Sequence, residues 1–147
     1  MAFPSSYVNG DTLKETMEGS ANLDTDAFKV ALFTDSLATA DKNGVETYGV
    51  GVWGSNEVTS ANYTAGGKAL TNVSQTAAAG NLVVDDSALN LVWTSVTFTA
   101  RGCAIYNDTA ATAHLHAAVN FGSDLEVSDG SFTVTWDTTN GLWHFTY

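Results

Sequence analysis

The chain contains three histidines, whose side chains could bind a metal or transfer a proton. His114 and His116 lie two positions apart, so in a β-strand both side chains would project from one face. Two imidazoles can bind Zn²⁺, but a zinc site needs further protein ligands, and His144 is the only other histidine. A three-histidine site requires that the two strands be neighbours. We favour the simpler interpretation, in which the histidines face solvent on a half-exposed sheet.

Acidic residues form three short clusters that could bind calcium or act in hydrolysis. The clusters are Asp24 with Asp26, Asp85 with Asp86, and Asp124 with Glu126 and Asp129. None has the EF-hand spacing, and each lies beside a turn, where Asp is common because it bonds to its own backbone. Nothing marks any two acids as a glycosidase pair, and the serines lack a nucleophile-elbow motif. We therefore predict no enzyme, no cofactor and no metal.

The charge balance excludes one class of partner. Sixteen acids against five bases give a net charge of −11, so no basic patch can hold a phosphate backbone, and we predict no nucleic-acid binding. The acidity favours solubility and repulsion between copies, or else a match to a basic partner surface. No apolar run approaches the roughly 20 residues of a membrane helix. Cys103 is the only cysteine, which predicts a small buried side chain and no intrachain disulfide.

Two aromatic residues, Trp53 and Tyr63, lie in polar, glycine-rich surroundings. In such positions they could stack on a sugar or anchor a protein interface, where Trp and Tyr are enriched. They could equally cover the end of a β core. The sequence leaves both interpretations open.

The elements that would position these residues are mostly strands. Apolar and polar residues alternate over residues 96–105, 115–121, 132–136 and 142–147, and further strands are predicted at 28–33, 68–75, 81–85 and 88–93. Turn residues separate these stretches at near-regular spacing, and we see neither a repeat nor a linker. We predict one all-β domain over 1–147, a β-sandwich or jelly-roll-like fold. Its predicted structural residues are Trp93, Phe98, Ile105, Phe121, Phe132, Val134 and Trp136.

One short helix is predicted near the N-terminus. It runs over 5–18 with Ser5 or Ser6 as the cap, or over 11–18 only, and Gly19 ends it. The segment 1–18 carries apolar residues outside the strand pattern, and chain ends that are not part of a core often dock elsewhere. We predict that this segment contacts a partner through Phe3, Tyr7, Leu13 and Met17.

Residues 36–60 form a long loop, with a short strand possible near 45–50, that either binds a partner or simply connects strands. The only arginine, Arg101, lies among the central strands, where a guanidinium needs acceptors. We expect Asp85, Asp86 or Asp108 to supply them. The alternative is that Arg101 reaches a carboxylate on a partner.

The order of the segments resembles a known group of proteins. The matching motifs are the strand at 23–32, the Tyr-Thr-Ala-Gly-Gly turn at 63–67, and the segments 99–109, 120–124 and 130–136. This pattern, from about residue 13 to the C-terminus, is similar to that of small structural proteins of tailed bacteriophages. Several members of that group decorate or cement the capsid.

The resemblance implies a non-enzymatic capsid decoration protein. Its partners would be the major capsid protein and other copies of itself on the lattice, where many weak contacts add up to firm attachment. It would lie on the capsid surface of the virion, and in the host cytoplasm before assembly. The alternative is a head-fibre or tail-associated module that binds host-surface glycans through Trp53 and Tyr63.

Overall fold

The computed structural model describes residues 3–36, 45–71, 73–78, 81–86, 90–137 and 141–146. For residues 78, 81, 82, 85, 86 and 143–146 it describes the backbone alone.

The described chain is all-β with a single short α-helix, as predicted. The helix α1 spans Gly10–Glu18, and the strands are β1 (Tyr7–Val8), β2 (Phe28–Phe33), β3 (Lys68–Ala69), β4 (Val73–Ala78), β5 (Asn81–Asp86), β6 (Asn90–Asn107), β7 (Leu115–Thr135) and β8 (Trp143–Thr146). A five-stranded sheet has the order β1-β7-β6-β2-β3, and a three-stranded sheet has the order β4-β5-β8. Every pairing is antiparallel.

Strands β6 and β7 are much longer than the sequence pattern predicts. They form one hairpin of 18 and 21 residues that joins the separately predicted strands 88–93 with 96–105, and 115–121 with 132–136. The hairpin stays paired because bulges absorb the irregular positions. The largest bulge lies where β6 advances from Ala100 to Gly102 while β7 steps from Leu125 to Asn120. Residues 121–124 therefore protrude opposite Arg101.

The five-stranded sheet is buried on both faces along most of β2 and at the adjoining end of β6 and β7, residues 102–107 and 115–118. One face packs with residues of the three-stranded sheet, including Val73 and Val84, in a sandwich-like arrangement. This core contains the predicted Trp93, Phe98, Ile105, Phe132, Val134 and Trp136, with Phe121 partly buried against it. The other face is covered by Phe3 and Trp53, which pack on small side chains such as Ala104 and Ala118.

Helix α1 follows the shorter of the two predicted alternatives. The Asn9 side chain caps it by accepting a hydrogen bond from the Asp11 N–H at 3.0 Å, and Gly19 ends it in the left-handed conformation. The predicted caps Ser5 and Ser6 are wrong, because the chain before Asn9 is extended and β1 pairs with β7.

The N-terminal segment contacts the chain's own sheet, which corrects part of the attachment prediction. The Asn120 side-chain amide donates to the carbonyls of Phe3 and Pro4, and the Phe3 N–H donates to Asp35. The Phe3 ring is buried edge-on against Trp53. Tyr7 is half-buried with its hydroxyl bonded intramolecularly. Phe3 and Tyr7 are therefore not free to bind a partner, since they hold the segment down.

Of the predicted loop 36–60, residues 37–44 lie outside the described part of the chain. Residues 45–60 are ordered against the sheet by backbone bridges from Thr47 to His114 and from Glu57 to Phe33, with a 3₁₀ helix at Gly51–Gly54. The strand considered near 45–50 is reduced to the single bridge at Thr47. This segment covers the second face of the sheet with Trp53.

Candidate functional site

A bulge in β7 fixes helix α1 on the sheet. Ala117 pairs with Ile105 and Leu115 pairs with Tyr106, so His116 is the extra residue between them. The His116 carbonyl accepts the Asn9 N–H at 2.8 Å and the Thr12 hydroxyl at 2.9 Å. The beginning of the helix is therefore bonded directly to the bulge.

The two neighbouring histidines lie under this helix and not in solvent. The His114 Nδ1 contacts the Glu15 carboxylate, and the His116 ring is fully buried against Phe28, with ring centroids 5.1 Å apart. The predicted solvent-facing position is wrong for His116, because α1 covers this part of β7. The His144 side chain lies outside the described residues. Within the described chain, no group of three or more His, Cys, Asp or Glu residues is arranged to hold a metal ion.

Burial sets the charge of His116. Removal from solvent, together with the nearby His114, lowers the pKa of His116 to about 4, although Asp26 acts in the opposite direction. His116 is therefore neutral at pH 7. Its 3.8 Å approach to the Glu15 carboxylate is then a polar contact and not an ion pair.

We expect this histidine to make the fold sensitive to acid. Because the pKa of His116 is about 4 in the folded chain and ordinarily 6.5, the unfolded chain binds the extra proton between these values. The stabilisation from keeping His116 neutral is complete above pH 6.5 and is lost as the pH falls towards 4, by about 3 kcal/mol. Urea unfolding at pH 7.0, 5.5 and 4.5 measures this loss. The variant His116→Gln cannot take up the proton, so its free energy of unfolding should fall less over the same range. Equal pH dependence in both proteins would refute the assignment.

Two carboxylates accept hydrogen bonds from aromatic residues of the N-terminal segment and of residues 45–66. Glu46 is buried and accepts hydrogen bonds from the Tyr7 hydroxyl at 2.6 Å and the Trp53 Nε1 at 2.9 Å. Glu57 accepts from the Tyr48 hydroxyl at 2.6 Å and the Tyr63 hydroxyl at 2.7 Å. The Gly66 N–H donates to Glu57 at 2.8 Å. These carboxylates are thus acceptors within the fold.

Burial and the Glu57 carboxylate raise the pKa of both tyrosines that donate to it. For Tyr48, burial is the largest cause and Glu57 follows. For Tyr63, burial is again the largest cause, opposed by the hydrogen bond from the Leu32 N–H and reinforced by Glu57. Both phenols therefore stay protonated and remain donors.

The two aromatic residues whose position the sequence left open are both in the core. Only 2% of Trp53 and 8% of Tyr63 is exposed. Trp53 packs edge-on against Phe33 with centroids 5.0 Å apart, and Tyr63 lies beside Trp93 and Phe98. Neither ring is open for stacking on a sugar. The interpretation that they cover the core is the correct one.

Arg101 has acceptors, but Asp108, one of the three that the sequence suggested, is not among them. Its guanidinium lies 3.4 Å from Asp124 and 3.8 Å from Asp35, and its Nε donates to the Asn120 amide oxygen at 3.3 Å. The expected Asp108 instead pairs with Lys29 at 2.8 Å. The side chains of Asp85 and Asp86 lie outside the described part of the structure. Arg101 therefore joins the protruding 121–124 bulge to Asp35 and Asn120, the two residues that bond the N-terminal segment.

Two of the predicted partner-binding residues are exposed, and both lie on α1. Leu13 is 44% exposed and Met17 is 79% exposed. They are four residues apart, so they adjoin on one face of the helix, where a shallow groove also includes Gly10, Lys14 and Glu18. The groove is open to solvent, and the helix that carries it is fixed to β7.

Comparison of the chain with protein-family models, with curated proteins and with solved structures gives no match. In the described part of the chain, the single α-helix is too short and too polar to cross a membrane.

Proposed function

We propose that this chain is a non-enzymatic structural protein of a tailed-bacteriophage virion that decorates the capsid shell. The observation that carries the proposal is the exposed pair Leu13 and Met17 on a helix anchored to the sheet. The resemblance of the sequence to small virion proteins supports the same function. The partner is the major capsid protein, with further contacts between copies on the lattice.

The anchoring of α1 makes this pair suitable for attachment. The Thr12 hydroxyl and the Glu15 carboxylate hold the helix against β7, so Leu13 and Met17 need little ordering when a partner binds. The flexible methionine side chain fits an irregular apolar surface. A contact of this size is weak alone, but a lattice presents many copies of it at once.

The net charge is consistent with this function. At −11, free copies repel one another before assembly and stay away from packaged DNA. An acidic surface also complements a basic region of a shell. In this proposal the protein lies on the capsid surface, and in the host cytoplasm before assembly.

A glycan-binding fibre or tail module is less well supported. That alternative assigned sugar stacking to Trp53 and Tyr63, and both rings are buried with their polar atoms bonded to glutamates. Copy number separates the two functions. Densitometry of purified virions should show a decoration protein near the stoichiometry of the shell protein, whereas a fibre or tail module should be far less abundant.

We expect the double variant Leu13→Gln, Met17→Gln to fold normally and to bind shells at least about tenfold more weakly, because it loses the apolar contact. Glutamine favours helices, so α1 should persist. Co-sedimentation with shells prepared without this protein measures the binding. The control is Val50→Thr, which changes an exposed apolar residue outside α1. Unchanged binding by the double variant would remove α1 as the attachment surface.

A further inference from the structure

The outer edge of β7 is open over most of its length. On one side β7 pairs with β6 from Leu115 to Thr135. On the other side β1 pairs only with Ala117 and Ala118, and the Asn120 N–H bonds to the Ser6 hydroxyl. Among the described strands, none pairs with the outer side of residues 121–135. Such an edge presents backbone donors and acceptors that can pair with another strand.

An apolar groove of about 340 Å³ runs beside this edge. It opens between β7 and the residues that lead into β8 of the other sheet, and its apolar lining includes Phe121, Leu125, Phe132, Val134, Trp136 and Leu142. A smaller groove beside β1 shares Val119 and Leu142 with it. Edge and groove together have the form of a site for an extended peptide. The backbone of the peptide would pair with β7, and every second side chain would enter the groove.

The charge around the edge indicates which kind of partner fits it. Glu126 and Asp129 are exposed on the open stretch and Asp137 lines the groove, while Asp124 beside them is paired with Arg101. The segment 115–137 contains neither Lys nor Arg. A second copy would bring the same acids against these, which is unfavourable for strands paired edge to edge. A segment that carries Lys or Arg between apolar residues is complementary.

We propose that residues 125–135 of β7 bind an extended basic segment of another protein, which adds to the five-stranded sheet as a sixth strand. The binding energy comes from backbone hydrogen bonds to β7 and from apolar side chains in the groove. The selectivity comes from the acidic residues of the edge. This site is separate from the Leu13 and Met17 surface, and its test needs no capsid shell.

The probe is a fluorescent nonapeptide of alternating lysine and valine, measured by anisotropy with the full-length protein. Two matched peptides accompany it. One carries N-methyl groups on alternate backbone amides, and the other has glutamate in place of lysine. We expect the methylated peptide to bind at least about tenfold more weakly, because it cannot pair along β7, and the acidic peptide not to bind. Hydrogen exchange should slow at amides within 125–135 and stay unchanged in α1.

A pair of variants locates the binding surface. The first variant is Leu125→Gln, which changes a residue of the groove that is 39% exposed. The control is Leu13→Gln, which changes a residue of similar exposure on α1. We expect Leu125→Gln to weaken binding of the basic peptide about tenfold and Leu13→Gln to leave it unchanged. Since the shell test changes α1 and this test changes β7, each proposal can fail without the other.

Results of three kinds would overturn the assignment. The first is equal binding of the methylated and unmethylated peptides, because strand pairing would then play no part. The second is protection outside β7 or unchanged binding by Leu125→Gln. The third is a concentration-dependent dimer in sedimentation that Leu125→Gln dissociates, which would assign the edge to a second copy of the chain.

Discussion

Replacing Gly67 by alanine is expected to destabilise the fold by more than about 4 kcal/mol, enough to prevent recovery of folded protein. Gly67 has a φ of +72°, and a Cβ built there would lie 1.8 Å from the Val30 carbonyl oxygen and 2.8 Å from the Ala31 Cα. Both are backbone atoms of β2, which is buried between β6 and β3. The chain cannot move aside without breaking the pairing of Lys68 with Val30.

The control for this variant is Gly122→Ala. Gly122 also has a positive φ, +85°, but a Cβ there would meet no atom within 4 Å. Alanine at this position should cost only the backbone strain, about 1 kcal/mol. Urea unfolding of both variants separates strain from collision. If Gly67→Ala is as stable as Gly122→Ala, the close approach to β2 is not as described.

The sequence predicted the fold class because period-two alternation marks strands whatever their partners are. It also predicted the turn that contains Gly67, since paired glycines tolerate conformations that other residues avoid. It did not predict the lengths of β6 and β7. A bulge shifts the alternation by one position, so a bulged strand resembles two short ones. The positive φ of Ser95 and of Asp129 marks such positions in β6 and β7.

The second buried face was missed for a related reason. Ala31, Ala104 and Ala118 are small, and the alternating pattern predicts that such positions are exposed. In the structure their small size leaves room for Phe3 and Trp53 to pack closely. The bond between Tyr7 and Glu46 joins residues 39 positions apart, and no local pattern marks it. Only folding brings Tyr7 to its acceptor and Phe3 to Trp53, so the sequence alone predicts Phe3 and Tyr7 as partner-binding residues and leaves the position of Trp53 and Tyr63 open.

The exposed apolar pair on α1 was predictable from the sequence in part. Leu13 and Met17 stand four apart on a predicted helix with no apolar partners at the intervening turn, which is a local pattern. The open β7 edge was not predictable, because exposure of an edge depends on where β1 stops pairing and on the 121–124 bulge. Both follow from long-range contacts of Asn120 with the N-terminal segment.

Removing the Glu57 carboxylate is expected to lower the free energy of unfolding by about 3–5 kcal/mol. In Glu57→Ala the Tyr48 and Tyr63 hydroxyls and the Gly66 N–H lose their acceptor together. A buried donor left without an acceptor costs about 1–3 kcal/mol, and Tyr63 and Gly66 are buried while half-buried Tyr48 can turn to water. Urea unfolding measures the loss, with Glu126→Ala as a control for an exposed glutamate.

A double-mutant cycle with Tyr48→Phe shows whether the loss arises from the hydrogen bonds. In the parent chain, Tyr48→Phe removes one donor from Glu57 and should cost about 1 kcal/mol. In the Glu57→Ala background that hydroxyl has already lost its acceptor, so the same substitution should be close to neutral. The difference between the costs of Tyr48→Phe in the two backgrounds is the coupling energy between Tyr48 and Glu57. Additive losses would mean that Glu57 stabilises the loop by some means other than bonding Tyr48. The ring stacking of Tyr48 on Tyr106, at 4.3 Å between centroids, would then be the contact through which Tyr48 stabilises this segment, beside the backbone bridges at Thr47 and Glu57.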